Sequence, residues 1–112
     1  MIDKDLMAIP GRDKISIIDT NKYQLIRTIN VLNSGNIYGI CMLNKNILLT
    51  GDSSKTIRQW RIERDNLIII SIKENAHDGE INALLNIGNG HFLSGSDDCR
   101  IKICILFFIF IY

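Results

Sequence analysis

Three side chains in the second half of the sequence have the types needed for nucleophilic catalysis: His77, Ser94 and Asp98. A serine hydroxyl attacks well only when a histidine takes its proton and a carboxylate orients that histidine. Residue types alone do not make such a triad, which requires mutual reach and an open site. Gly51-Asp52-Ser53 is of the kind found around some serine nucleophiles, but no strand–turn–helix pattern surrounds it. His77 with Asp78, or His91, offers metal-binding atoms, yet no second histidine or cysteine pair stands at ligand spacing. His91 reads better as the cap of a hairpin turn. Gly88-Asn89-Gly90 is a turn and not a phosphate-cradling loop. No catalytic, metal or cofactor residue is assigned on these grounds.

The stretch around His77 is one copy of a repeated unit. Gly51 and Gly95 stand 44 residues apart, as do Trp60 and Cys104, Gly35 and Gly79, Ile37 and Ile81, Leu49 and Leu93, and Ile57 and Ile101. Arg58 and Lys102 make a conservative pair at the same offset. A period of 40–45 residues is the signature of propeller blades. Each copy reads as strands. Ile37-x-Gly39-x-Cys41 and Ile81-x-Ala83-x-Leu85 alternate with period two, and the small middle residue suits a close approach of two sheets. Turns follow at Asn44–Asn46 and Gly88–Gly90, where Asn and Gly tolerate positive φ. Second strands are predicted over Ile47–Thr50 and His91–Ser94, and third strands over Thr56–Trp60 and Arg100–Cys104. Leu67–Ile72 adds a fourth strand to the earlier copy. Polar turns, Asp52–Lys55 and Ser96–Cys99, separate second from third.

These residues resemble the WD40 repeat (G-beta-like) family, whose four-stranded antiparallel blades pack around a central channel. The resemblance covers about residues 6 to 104. It implies a buried network joining a histidine before the first strand, a Ser/Thr on the second, an aspartate in the next turn and a tryptophan on the third. The later copy carries His77, Ser94 and Asp98 but has Cys104 at the tryptophan position; the earlier copy carries Thr50 and Trp60 but has Asn33 and Ser54 where histidine and aspartate are expected. The resemblance thus gives His77, Ser94 and Asp98 a structural role and makes Trp60 a packing residue. Incomplete networks leave polar groups to find other partners, so both blades are expected to be weaker than an ideal one.

The expected fold is all-β: an incomplete propeller of about 2.5 blades. The boundaries are 1–32 for a partial blade without its first strand, 33–75 for a second blade and 76–112 for a third. In the first, Ile15 aligns with Ile57 and Ile18 with Trp60 at an offset of 42. The third ends in Ile103–Tyr112, ICILFFIFIY, an atypical apolar tail from about residue 104. Ten residues are too few for a membrane-spanning helix, which needs about 20. An unpaired tail of this composition is an aggregation hazard. A ring needs typically four to eight blades, so the chain reads as a fragment whose open edges invite self-association.

Thirteen basic and twelve acidic residues give a net charge of +1, and no basic run appears. This makes no case for nucleic acid or an anionic membrane as partner. About a fifth of the residues are isoleucine, which favours strands. Cys41, Cys99 and Cys104 fit no zinc or redox spacing and read as reduced, mostly buried thiols. With no apolar N-terminal stretch of signal-peptide length, the expected location is intracellular and cytoplasmic.

The resemblance implies a non-catalytic scaffold that binds peptides or protein domains through blade loops. In that family ligands often meet the loops entering the first strand and those between the second and third. Here these supply Ser53, Lys55, Glu80, Asp97 and Arg100 as candidate partner-binding residues, with no cofactor. The alternatives are a substrate-recruiting part of a larger enzyme, such as a ubiquitin ligase or kinase, and a truncated product without function.

Overall fold

The computed structural model describes residues 5–105 and the backbone of 109–110. Its elements are eleven strands in three antiparallel sheets, with no helix among the described residues. Sheet I holds β1 (Leu6–Pro10), β2 (Lys14–Asp19) and β3 (Gln24–Asn30). Sheet II holds β4 (Ile37–Asn44), β5 (Ile47–Asp52), β6 (Ile57–Glu63) and β7 (Asn66–Lys73). Sheet III holds β8 (Ile81–Gly88), β9 (His91–Ser96), β10 (Ile101–Ile105) and β11 (Ile109–Phe110). Within each sheet the strands lie in chain order, so every connection is a hairpin or a short passage to the next sheet.

The period-two patterns explain the layering. Along β5, Leu48 and Thr50 face sheet I while Leu49 and Gly51 face sheet III. Leu48 accordingly joins Ile15, Ile17, Val31, Ile37, Trp60 and Leu67 in one core. Leu49 joins Ile57, Ala76, Ile81, Leu84, Phe92 and Cys104 in the other. Burying such side chains contributes roughly 1.5–3 kcal/mol each before entropy is counted. The small residues on the sheet II face mark the close approach to sheet III. A methyl at Gly51 would stand 2.5 Å from Ile81 Cγ2, and one at Gly39 would stand 3.1 Å from Leu84 Cγ.

Sheet III lacks a sheet on its far side among the described residues. Its Ile101 is 71% exposed, whereas Ile57, 44 residues earlier, is fully buried. The sheets therefore do not close into a ring.

Turn positions repeat with the sheets. Asp13, Lys55 and Cys99 all take left-handed φ, 56°, 66° and 67°, at spacings of 42 and then 44. Pro10 ends β1. Asp52, read as a turn residue, ends β5 and is fully buried. Of the apolar tail, residues 103–105 end β10 and Ile109–Phe110 form β11, whose backbone pairs with β10 as Cys104↔Phe110 and Ile105↔Ile109; the remainder lies outside the described residues.

Candidate functional site

The loop leading into β8, strand β9 and the β9–β10 turn bring His77, Ser94 and Asp98 together. His77 Nδ1 lies 2.8 Å from Asp98 Oδ2, and Nε2 lies 2.7 Å from Ser94 Oγ. Asp98 Oδ2 also accepts the Asp78 N–H at 3.0 Å, and Oδ1 accepts the Arg100 N–H at 2.9 Å. Burial pushes the Asp98 carboxyl up, but the bond from His77 and those two amides outweigh it and hold the group down at about 2. An ionised carboxylate only accepts hydrogen bonds, so Nδ1 carries the proton and donates. In a neutral ring Nε2 then accepts from the Ser94 hydroxyl. Cys104 Sγ sits 3.8 Å from Ser94 Oγ and extends the chain of polar groups by one member. Burial lifts the Cys104 thiol to about 11, against the lowering pulls of Ser94 and Lys102, and keeps it protonated at neutral pH.

This is the order of contacts of a hydrolase triad, in the wrong place for one. Ser94 is fully buried and His77 is 1% exposed. A carbonyl substrate cannot approach Oγ without opening the core between sheets II and III. What the arrangement does chemically is tie the loop entering β8 to the β9–β10 turn. The sign of the pH dependence follows. A carboxyl at about 2 in the fold against an ordinary 3.8 stabilises the fold above about pH 4, and this contribution is lost as pH falls through about 2. Asp98→Asn is expected to lower the melting temperature at pH 7 and to flatten its fall between pH 4 and 2. Thermal melts followed by circular dichroism across that range check this.

Sheet II solves the same problem with other residues. Trp60 Nε1 donates to Thr50 Oγ1 at 3.0 Å, both buried. At the positions expected for histidine and aspartate, Asn33 and Ser54 do not meet. Instead the Arg58 guanidinium pairs with the buried Asp52 carboxylate. Asp52 Oδ1 accepts the Ser54 N–H at 2.9 Å and the Thr56 N–H at 3.4 Å. Arg58 Nη2 reaches the Leu32 carbonyl at 3.4 Å, and Lys102 Nζ reaches the Ala76 carbonyl at 2.8 Å, each 44 residues on. These cations anchor the chain as it enters each sheet. No described buried side-chain N or O lacks a hydrogen bond. Sequence reading missed the Asp52–Arg58 pair. Its available signal was an arginine amid strand residues, six positions from an aspartate.

The five candidate partner-binding residues lie at one end of sheets II and III. Lys55, Asp97 and Arg100 are exposed, while Ser53 and Glu80 are half-buried. Ser53 Oγ accepts the Asn36 N–H at 3.0 Å and donates to the Ser34 carbonyl at 3.2 Å, so its hydroxyl is engaged within the loops. Backbone bonds hold the turns to the entering loops in the same way twice: Ser53 N to Asn36 O, 2.9 Å, and Asp97 N to Glu80 O, 3.0 Å. Asp97 Oδ1 accepts from Asn82 Nδ2 at 2.6 Å. Exposed charges of both signs thus stand on a hydrogen-bonded frame. No group of three or more His, Cys, Asp or Glu among the described residues is placed to hold a metal. No described helix is long and apolar enough to cross a membrane.

The cysteines divide. Burial also raises the Cys41 thiol to about 11, whereas Cys99 is exposed. Cys41 is half-buried and Cys104 fully buried. An aromatic disulfide reagent at pH 8 is expected to label Cys99 first, Cys41 more slowly and Cys104 only on unfolding. Prompt labelling of all three thiols in buffer would contradict the buried placement of Cys104.

Antiparallel sheets in chain order, stacked face to face and tied by a buried polar network at one end, define a β-propeller-type repeat protein. Residues 69–104 match the WD40 family model, described as WD domain, G-beta repeat. The matched span lies within an unclosed, propeller-type arrangement of three sheets. The matched span runs from β7 through β10, so the sequence repeat is displaced from the sheet by one strand. No curated protein matches the chain.

Proposed function

We propose that the protein is a non-catalytic binding module that holds other proteins on the loop face formed by Lys55, Glu80, Asp97 and Arg100. WD40 repeats in general mediate protein–protein interaction. The observation that carries the reading is the pairing of a buried polar network with a hydrogen-bonded, mixed-charge loop frame at the same end of the sheets. Preorganised loops lose little entropy on binding, and charges of both signs select a complementary partner. The buried Ser94 hydroxyl supports a structural use of the His77, Ser94 and Asp98 set.

The test compares affinity capture by the wild-type chain and by a Lys55→Glu/Arg100→Glu variant of equal melting temperature. Proteins retained by the first and lost by the second are the expected result. Identical capture by both sinks the loop assignment. Ester turnover abolished by Ser94→Ala sinks the non-catalytic one.

A further inference from the structure

Among the described residues, one strand edge is left open where the other two sheets close theirs. The counterparts of β1 in sheets II and III are β5 and β9, and each is flanked on both sides, by β4 and β6 or by β8 and β10. β1 pairs with β2 alone among the described residues. The phase of its ladder shows which groups are available. Gly11 N donates to Lys14 O at 2.9 Å and Thr20 N to Asp5 O at 2.8 Å. In an antiparallel pair such bonds alternate, so residues 5, 7, 9 and 11 spend their backbone groups on β2. The backbone groups of Leu6, Ala8 and Pro10 point to the open side. Pro10, which has no N–H to donate, falls in the outward set, where its lack costs sheet I nothing.

Beside this edge lies a cleft of about 730 Å³ between sheets I and II. Leu6, Met7 and Ala8 line one wall, and Met42, Leu48 and Ile62 the other. Lys45 and Arg64 stand at its mouth, near the start of β1. The acid there, Asp65, is already paired with Arg27 at 3.3 Å, and neither Lys45 nor Arg64 has an ion-pair partner among the described residues. The cleft is therefore apolar along its length and cationic at one end.

Sheets II and III show what chemistry covers such an edge. There an antiparallel strand begins Ile-x-Gly or Ile-x-Ala and continues with aliphatic residues, as in Ile37-Tyr38-Gly39 and Ile81-Asn82-Ala83. We propose that β1 is a docking edge for an extended segment of another protein, added as an antiparallel strand. Its alternate aliphatic side chains fill the cleft, and carboxylates at its C-terminal end meet Lys45 and Arg64. Main-chain bonds to Leu6, Ala8 and Pro10 give affinity, and the cleft and its cations give specificity. This surface is separate from the loop face and does not depend on it.

The probe is a fluorescein-labelled peptide with the sequence of residues 80–88 followed by two aspartates, read by anisotropy against the full chain. Saturable binding is expected. Ala8→Pro removes an outward donor while leaving the β2 ladder intact, and should weaken binding by about tenfold. Lys45→Glu/Arg64→Glu should weaken the acidic peptide but not a version lacking the aspartates. Amide exchange of the wild-type chain guards against a misfolded variant: the Leu6 and Ala8 amides should become protected when peptide is added. Equal binding of a scrambled peptide overturns the proposal, as do absence of binding and unchanged exchange at Leu6 and Ala8. Protection of those amides that grows with protein concentration in the absence of peptide assigns the edge to a second copy and also overturns it.

Discussion

Trp60→Ala is expected to destabilise the chain by about 3–5 kcal/mol, as large aromatic-to-alanine changes in cores do. Trp60 is the largest of the fully buried side chains, and it lies in the core between sheets I and II. Its loss removes apolar contact with that core and also strips the buried Thr50 hydroxyl of the indole N–H it accepts. Domains of this size have about 5–15 kcal/mol to lose, so the variant should sit near its unfolding midpoint in mild urea. Trp60→Phe separates the two contributions. It keeps much of the apolar volume and loses the hydrogen bond, so roughly 1–2 kcal/mol is expected. Urea unfolding followed by circular dichroism gives both values. A cost for Trp60→Ala under about 1 kcal/mol would mean that sheets I and II do not share this core.

The second large effect is electrostatic. Asp52→Ala leaves the Arg58 guanidinium, itself buried, with no carboxylate. Removing one member of a buried pair costs about 3–5 kcal/mol, because the remaining charge stays desolvated. Replacing both partners with apolar groups of similar shape is far milder. The double variant Asp52→Ala/Arg58→Met is thus expected to be more stable than Asp52→Ala alone, although it carries one more substitution. It does not return fully, since the Ser54 and Thr56 amides still lose their acceptor. Equal stability of single and double variants would show that Arg58 finds solvent when unpaired. A double variant less stable than the single would show that the Arg58 bond to the Leu32 carbonyl matters more than the ion pair.

Both predictions fall on buried polar groups of sheet II. In sheet III, Ser94, His77 and Asp98 lie within hydrogen-bond distance, each on a strand or turn whose place is set by local pattern. Cys104 took the tryptophan's place at the end of that relay, and its thiol reaches Ser94 only because β10 pairs with β9 in the register Cys104↔Phe92. In sheet II, where Asn33 and Ser54 stand at the histidine and aspartate positions, Asp52 with Arg58 holds the entering loop. Whether Asp52 ended a strand or began a turn was not legible, since aspartate suits both. Its burial depends on sheet I lying over that face. Ser53 was legible as a loop residue, but its engagement with Ser34 and Asn36 required knowing how closely Gly35 passes, with a methyl there 2.2 Å from Ser53 Oγ.

The strands, their hairpin order, the repeat spacing and with these the propeller-type class can be read from local pattern. Those features rest on period-two burial and on turn residues, which act over a few positions of chain. Which sheet face is covered, which edge stays open and which charges are buried together follow from how the sheets pack. Leu49 and Leu93 have the same type and the same place in the repeat, yet one is buried in a core and the other half-exposed. The difference lies in the neighbouring sheet, because burial belongs to the pair of surfaces and not to either one.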